Sequence, residues 1–324
     1  MNPLAGIYGS ATTLRNVLFD RGVLSARRLQ RAVVSVGNLS VGGSGKTPFV
    51  MALGELLKVR GIPFDVLSRG YGRKTRGVLV VEPGGNAADF GDEPLLMARR
   101  LGVPVIVGES RYDAGQLAEQ KFESQVHILD DGFQHRALAR DFDIVLLTER
   151  DFDDKLLPAG RLREPLSSLR RADAIVLPRD FSAKNFSAHE LTIEGLARQG
   201  KFVWRMKREI DVPAGVAAPI VFCGIARAGQ FFAEVRAAGV APAAEAEFRD
   251  HHAYGRSDVE RLLAMRAKLR AGGFLTTEKD AVNLGALRER LDPLGIVGLG
   301  ITVDDPTDVV DAVLARISER KARS

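Results

Sequence analysis

The sequence predicts an α/β protein whose mainly parallel sheet is covered by helices on both faces. Of its 324 residues, 45% are apolar and 27% are charged, which is ordinary for a soluble globular protein long enough for two domains. Short aliphatic runs alternate with helical stretches from Ala32 onward. The first run leads into a glycine-rich loop and an amphipathic helix, the strand–loop–helix order typical of such sheets.

The first element is a predicted helix from Ser10 to Arg31, with several leucines and Val17 along one side. Its five arginines are balanced by a single acid, Asp20, and the whole chain has a net charge of +5. A basic amphipathic helix either lies on an anionic membrane surface or packs on its own domain, and the pattern leaves both open. We find neither an apolar run long enough to predict a spanning helix nor a signal-peptide pattern.

A phosphate-binding loop is predicted between the first strand and a helix over residues 48–60. Its segment reads Gly42-Gly43-Ser44-Gly45-Lys46-Thr47. The glycines of such a loop let backbone N–H groups converge on phosphate oxygens, the lysine reaches the outer phosphates, and the threonine holds Mg²⁺. The usual first glycine is replaced by Ser40, which fits only if its φ is negative. We therefore predict that a nucleotide binds here.

Two charged segments follow the next strands. The strand Phe64–Ser68 leads into Arg69-Gly70-Tyr71-Gly72-Arg73-Lys74, which is either a ligand-binding loop or a solvated basic turn. After a strand over residues 78–81, Asp92 and Glu93 open a helix, where acids cap free N–H groups. The alternative is a carboxylate base or a Mg²⁺ ligand. A strand over residues 104–108 precedes Arg111, a weak candidate for a phosphate contact.

The second strong motif is a hydrophobic strand that ends in two acids, Val126-His127-Ile128-Leu129-Asp130-Asp131. This pattern places a carboxylate near the Mg²⁺ of a phosphate-binding loop. Adjacent aspartates repel each other unless a cation or a hydrogen-bond donor lies between them. Together with Lys46 and Thr47, they predict a site suited to phosphoryl transfer.

The remaining chain extends the sheet and predicts a second α/β segment. Strands are expected over residues 142–147 and 172–177, a polar stretch over 179–189 ends that layer, and residues 201–208 form an exposed connecting strand. The second segment begins at Pro219, and its Asp250-His251-His252 is a candidate proton-transfer group or a structural histidine pair. Cys223 is the single cysteine, which excludes a disulfide framework, and no zinc site is predicted.

Taken together, these motifs resemble the tetraacyldisaccharide 4'-kinase family, which phosphorylates the lipid A precursor in Gram-negative bacteria. The matching segments lie in family order over most of the chain. They are residues 36–48, 67–73, 91–94, 130–135, 157–165, 250–252 and 275–280. The altered loop start at Ser40 is also a feature of that family.

The resemblance implies a P-loop NTPase-like α/β/α sandwich with a mainly parallel sheet, and a second, smaller α/β/α domain joined by a short β linker. It divides the chain into a membrane-contacting N-terminal helix at 1–32, a nucleotide-binding domain at 33–200, and a C-terminal domain with the linker strand at 201–324. The active site is expected in the cleft between the two domains. The resemblance also favours the membrane alternative for the N-terminal helix, at the cytoplasmic face of the inner membrane.

The implied activity is transfer of the γ-phosphate of ATP to the 4'-hydroxyl of a tetraacyl glucosamine disaccharide 1-phosphate, with Mg²⁺. Asp92 is implied as the base, His251 as its partner across the cleft, and Lys46 as a phosphate ligand. The other implied ATP contacts are Gly42, Gly43, Ser44, Gly45, Thr47, Arg111 and Arg163. Thr47, Glu93, Asp130 and Asp131 are the implied residues around Mg²⁺. The expected partners are the lipid substrate and a peripheral membrane surface, without nucleic acid, and a monomer is favoured.

Three other classes fit the sequence less well. ATPase switches with a deviant phosphate loop need a lysine just before the paired glycines, where this chain has Val41. GTPases need an Asn-Lys-x-Asp guanine reader, which Thr277-Glu278-Lys279-Asp280 does not reproduce. A basic nucleic-acid or membrane-binding module explains the charge but leaves the phosphate loop and its acids without a purpose.

Overall fold

Strand β1 (Ala32–Asn38) is buried along its whole length because helices cover both of its faces. Val34 and Val36 pack into one hydrophobic core, whereas Val33 packs into a separate core on the opposite face. The computed structural model describes residues 3–181 and 193–322. Over these residues, the predicted α/β class with a mainly parallel sheet is confirmed.

Seven strands form the sheet of the N-terminal part. In spatial order they are β3 (Leu79–Val80), β4 (Val105–Val107), β2 (Phe64–Ser68), β5 (Val126–Asp130), β1, β6 (Phe142–Leu146) and β7 (Ala174–Pro178). All of the pairings are parallel except that of β3 with β4. Parallel strands place their carboxyl ends at one edge, and the loops that follow β1, β2 and β5 therefore meet there.

Two long strands join this sheet to the C-terminal part. Strand β8 (Phe202–Asp211) pairs in parallel with β7 and antiparallel with β12 (Leu294–Val303). The sheet then continues through β11 (Phe274–Thr277), β9 (Ile220–Cys223) and β10 (Ala244–Glu247). The predicted connecting strand at 201–208 is thus present as the longer β8, and the sheet is continuous through it.

Helices cover the sheet on both sides. They are α1 (Pro3–Asp20), α2 (Lys46–Val59), α3 (Ala87–Phe90), α4 (Asp92–Leu101), α5 (Arg111–Lys121), α6 (Arg150–Asp153), α7 (Ile193–Arg198), α8 (Ala228–Ala237), α9 (Arg256–Leu269), α10 (Glu278–Leu284) and α11 (Pro306–Ala322). Helices α2, α4 and α11 pack into the core on one face, and α5 packs on the other. In the C-terminal part, α8 and α9 occupy opposite faces.

The N-terminal helix begins and ends earlier than predicted. It covers Pro3–Asp20 instead of Ser10–Arg31. The chain turns at Gly22, whose φ of +71° is left-handed, and Arg27 then forms an isolated β-bridge with Leu138. The prediction of one helix through residue 31 is wrong because the later arginines lie on an extended segment that contacts the N-terminal part.

Most predicted strands lie within two residues of the observed ones. The predicted end of the layer at residues 179–189 lies mostly outside the described residues. Within the described ranges, none of the helices combines the length and apolar character that crossing a membrane requires.

A buried ionic group lies at the opposite edge of the sheet from the phosphate-binding loop. His127 on β5 and Asp65 on β2 are fully buried, and the imidazole Nδ1 lies 2.8 Å from Asp65 Oδ1. The Nε2 atom lies 3.4 Å from Glu119 Oε1. Burial by itself would lower the pKa of His127, but the two carboxylates raise it above its ordinary value of 6.5.

We expect this group to make folding stability depend on pH. Because the folded-state pKa is raised, the stabilisation from His127 is fully present below about pH 6.5 and is lost as the pH rises through the folded-state value. Urea unfolding of wild type and of His127→Gln should therefore differ more at low than at high pH. Parallel pH dependences of the two unfolding free energies would contradict this assignment.

Candidate functional site

A cleft of about 790 Å³ lies at the carboxyl ends of β1, β2 and β5, against the C-terminal part. Its N-terminal wall includes the loop of residues 40–47, Asp130 and Arg163. Its C-terminal wall includes Arg227, His251 and Lys279, and residues of β8 and β12 lie between the two walls. The cleft is therefore shared by the two parts of the chain.

The phosphate-binding loop has the backbone that its sequence predicts. Gly42 and Gly45 have φ of +102° and +86°, which glycine adopts without a Cβ penalty. Ser40 is not one of the described non-glycine residues with positive φ. Its φ is therefore negative, as a residue with a side chain requires at this position. Lys46 Nζ lies 3.2 Å from Asn38 Oδ1 and 3.6 Å from Asp131 Oδ1, at the start of α2.

The two adjacent aspartates after β5 have different environments. Asp131 has a left-handed φ of +49° and receives two hydrogen bonds from Arg163, at 2.7 and 2.9 Å. Burial opposes its ionisation, but Arg163 and Lys46 lower the pKa of Asp131 to about 2. Burial and the nearby charges of Glu93 and Asp131 raise the pKa of Asp130 to about 7. The pair therefore holds one ionised carboxylate that is paired with Arg163 and one carboxylate whose ionisation is opposed by burial and by the neighbouring acids.

Asp130 fits the requirement of a magnesium site. Ser68 Oγ donates to its Oδ2 at 3.1 Å, whereas the buried Oδ1 has no hydrogen-bond partner among the described residues. An orphaned buried carboxylate oxygen beside two other acids is stabilised by a cation. Thr47 lies on the same wall of the cleft, and a threonine hydroxyl with an aspartate is the donor set found around Mg²⁺ in phosphate-binding loops.

Asp92 is held at the start of α4 by the shape of the preceding chain. Gly91 has a φ of +90°, and a Cβ there would lie 2.9 Å from the Tyr71 carbonyl oxygen, so only glycine fits. His251 Nδ1 lies 2.8 Å from Asp92 Oδ2, and Asn283 Nδ2 donates to the same oxygen at 3.1 Å. Burial opposes ionisation of Asp92, but the bond from His251, the charge of Lys279 and the Asn283 bond lower its pKa below the ordinary value.

His251 is fixed by a buried network in the C-terminal part. Its backbone has a left-handed φ of +56°, and its N–H donates to the Gly224 carbonyl at 3.1 Å. The Gly224 N–H in turn donates to the buried Asp280 at 2.8 Å, which also accepts from Tyr254 at 2.9 Å. Burial and the nearby charge of Lys279 lower the pKa of the His251 imidazole. The contact with Asp92 outweighs both and raises this pKa above its ordinary value.

Arg111 adds positive charge to the nucleotide side of the cleft. It is buried at the start of α5, where burial and the neighbouring charge of Arg69 lower its pKa to about 10. Its NH1 donates to the Glu109 carbonyl at 3.0 Å. Close by, burial and the charges of Arg111 and Arg140 lower the pKa of His135 to about 4, so this imidazole is neutral near pH 7.

The structure brings the predicted site residues to one place. The predicted ATP contacts, His251 and the residues predicted around Mg²⁺ line the cleft. Asp92 lies behind this surface, 5% exposed, and His251 and Lys279 cover it. Sequence reasoning missed Asn38, Asn283 and Lys279. Lys279 belongs to the matching segment 275–280, but nothing in its local pattern indicates a partner.

Comparisons with known proteins find similarity over nearly the whole chain. The family model described as Tetraacyldisaccharide-1-P 4'-kinase matches residues 1–318. A relative from Koribacter versatilis, named tetraacyldisaccharide 4'-kinase, is 46% identical over 99% of this chain and 100% of its own length. A protein of the same name from Aquifex aeolicus is 40% identical over 87% of this chain and 88% of its own.

A solved structure is similar over nearly the whole fold. It is the crystal structure of LpxK from Aquifex aeolicus in complex with ATP, and its TM-score against this chain is 0.76. The sequence identity in that comparison is 35%, and the match covers 97% of each chain. The similarity thus extends across both parts of the chain and the cleft between them.

Proposed function

The chain belongs to the tetraacyldisaccharide-1-P 4'-kinase family and is an ATP-dependent lipid A 4'-kinase, and we propose that Asp92 is its base and His251 the partner of that base. The observation that supports these roles is the contact between the two side chains across the cleft, 2.8 Å from His251 Nδ1 to Asp92 Oδ2. They come from the two parts of the chain and meet beside the phosphate-binding loop.

The N-terminal wall binds and orients the triphosphate. The loop Gly42–Gly45 offers backbone N–H groups, and the Lys46 ammonium supplies a point charge to the outer phosphates. Arg111 and Arg163 line the same wall and stabilise negative charge that develops on the transferred group. Arg163 is held in place by its paired hydrogen bonds to Asp131, so its guanidinium is positioned before ATP arrives.

Magnesium would be held by Thr47 and Asp130, with Glu93 and Asp131 lying close by. When bound, the ion neutralises charge on the phosphate oxygens. For this chain, the ion would give a partner to the Oδ1 atom of Asp130, which has no hydrogen bond among the described residues.

Asp92 accepts the proton of the acceptor hydroxyl. Its lowered pKa keeps the carboxylate ionised near neutral pH, and a base is needed only late in phosphoryl transfer. His251 holds the carboxylate in place through its ring N–H. His251 and Lys279 cover most of Asp92, so only a small part of this carboxylate faces the cleft.

Helix α1 is proposed to contact the cytoplasmic face of the inner membrane. Its side chains dock on the site loops: Asn16 donates to buried Glu164 at 2.8 Å, and the Tyr8 hydroxyl donates to the Arg163 carbonyl at 3.2 Å. Elsewhere on this helix, Leu4, Ile7 and Leu14 are 60%, 67% and 59% exposed, respectively. This arrangement presents an apolar surface next to the cleft that receives an acylated substrate.

Replacing Leu4, Ile7 and Leu14 together by serine should weaken membrane binding by about tenfold or more, since each apolar side chain contributes to insertion into the interface. Co-sedimentation with anionic phospholipid vesicles measures the effect. Val59→Ser is the matched control, because Val59 is 83% exposed on α2. Equal vesicle binding by the triple variant and wild type would show that α1 only packs on its own domain.

Phosphoryl transfer itself is tested with the purified chain, ATP labelled at the γ-phosphate, Mg²⁺ and a tetraacyl disaccharide 1-phosphate in detergent micelles. We expect the label in the lipid fraction at the 4'-position. A folded chain that binds ATP but leaves this lipid unlabelled would contradict the proposed function.

A further inference from the structure

Lys279 is a cation that lines the cleft, and the function proposed above uses it only as a cover for Asp92. Its Nζ lies 3.1 Å from His251 Nε2 and 3.3 Å from Asp250 Oδ1. The same nitrogen lies 3.7 Å from Glu93 Oε1 and 3.8 Å from Asp92 Oδ2. The side chain is 16% exposed, so these contacts are shielded from solvent.

The contact with His251 restricts how the imidazole carries its proton. An ammonium group has three donors and no acceptor. At 3.1 Å, Lys279 therefore donates to Nε2, which must present its lone pair. The single ring proton of a neutral His251 is then on Nδ1, where it donates to Asp92 at 2.8 Å.

We propose that Lys279 is a positioning residue that holds the His251 ring with Nε2 as acceptor and Nδ1–H directed at Asp92. The inference rests on the proposed roles of Asp92 and His251 and extends them to a third group. Lys279 would thus act through His251 and does not need to contact the substrate.

The contact between Lys279 and His251 lies entirely within the C-terminal part. Lys279 is on α10, and His251 is on the loop before α9, so both belong to the same wall. The two segments are linked, because the side chain of Asp280, the residue after Lys279, accepts from Gly224 N–H, and the Gly224 carbonyl accepts from His251 N–H. These contacts within one wall therefore orient the imidazole toward Asp92.

Other groups around His251 do not supply this constraint. Asp92 fixes the proton on Nδ1 but leaves Nε2 free to take a second proton. Asp250 Oδ1 lies 3.9 Å from Nε2 and favours a proton there. The Tyr71 ring packs on the imidazole with a centroid distance of 5.2 Å, and Glu93 and Asn283 contact Lys279 and Asp92, respectively. Among these neighbours, Lys279 alone donates to Nε2.

A purely structural bridge between the two parts is the alternative explanation for Lys279. The neighbouring residue provides a control for it. Glu278 Oε2 forms an ion pair with Arg100 NH1 at 2.6 Å, which also joins α10 to α4. Arg100→Met therefore removes a cross-cleft ion pair without touching His251.

Nitrogen NMR of protein labelled with ¹⁵N-histidine, at about pH 8, tests the proposal without any activity measurement. The His251 signals are assigned from their loss in His251→Gln. In wild type we expect Nδ1 to be protonated and Nε2 to be unprotonated. A wild-type protein with Nε2 protonated would overturn the proposal, whether or not the chain phosphorylates lipid.

In Lys279→Met, we expect Nε2 to become protonated, kcat to fall about tenfold or more, and KM for ATP to change less than about twofold. Arg100→Met should leave the His251 signals as in wild type. If the methionine variant does not fold, Lys279→Leu also removes the ammonium without supplying a donor, and it should give the same change at Nε2. Unchanged His251 signals in a folded Lys279 variant would assign Lys279 to the structural bridge and overturn the proposal.

The outcomes separate this inference from the function on which it rests. If the chain gives the expected His251 signals but does not phosphorylate lipid, the proposed function is contradicted, whereas the contact of Lys279 with His251 is supported. A chain that phosphorylates lipid with the same kcat in Lys279→Met as in wild type would retain the function and overturn the role of Lys279.

Discussion

Asp92→Asn is expected to lower kcat by about a thousandfold while ATP still binds, because the amide keeps the shape of the side chain but cannot accept the proton. The fold should persist, since the amide oxygen can still accept from His251 and Asn283. Steady-state turnover with labelled ATP measures the loss, and calorimetric titration with a non-hydrolysable ATP analogue measures binding.

The control for Asp92 is another acid in the first turn of a helix. Asp113 lies in the first turn of α5, where its backbone N–H donates to Ser110 Oγ at 3.2 Å, and it does not line the cleft. Asp113→Asn should therefore leave turnover close to that of wild type. Near-normal turnover in Asp92→Asn would mean that Asp92 serves only to complement the helix N-terminus.

Lys46→Met is expected to lower kcat/KM for ATP by a factor of about a hundred to a thousand. The variant removes the point charge on the outer phosphates and the cation that lies 3.6 Å from Asp131. The two adjacent aspartates then repel both each other and the incoming triphosphate. Initial rates over a range of ATP concentrations, with saturating lipid, measure this loss.

A matched lysine on the same helix separates this effect from a general change in charge. Lys58 lies in the last turn of α2, is 37% exposed and pairs with Glu55 at 3.2 Å. Lys58→Met should change kcat/KM for ATP less than about twofold, because a screened surface charge contributes little. Equal losses in the two variants would show that Lys46 acts only through the overall charge and does not contact a phosphate.

Local patterns were sufficient to predict most of the fold. The run Val126–Asp130 predicts a buried strand and is β5, and the glycines before Lys46 predict the loop that precedes α2. These predictions succeeded because backbone conformation and burial period are set over a few residues. The helix proposed up to Arg31 failed because Gly22 and the bridge at Arg27 redirect the chain, and amphipathic spacing alone does not indicate such a change.

The residues of the site were predicted unequally. Thr47 and Asp130 follow from motifs with their own geometry, whereas Asp92 has an equally simple explanation as a helix-capping acid. Only the resemblance to a known family favoured the role of Asp92 as a catalytic base over its role as a helix-capping acid. No pattern in the sequence identified Lys279, since a lysine near the start of a short helix is ordinary and its partners are distant in the chain.

By itself, the sequence determined that the chain has a phosphate-binding loop, because Gly42–Thr47 are contiguous and their backbone geometry is local. Only the tertiary structure decided what lies opposite this loop. His251 is 159 residues from Asp92, and Lys279 is a further 28 from His251. The three meet because β8 pairs with β12 and sets the C-terminal part against α4, a long-range pairing that no short segment encodes.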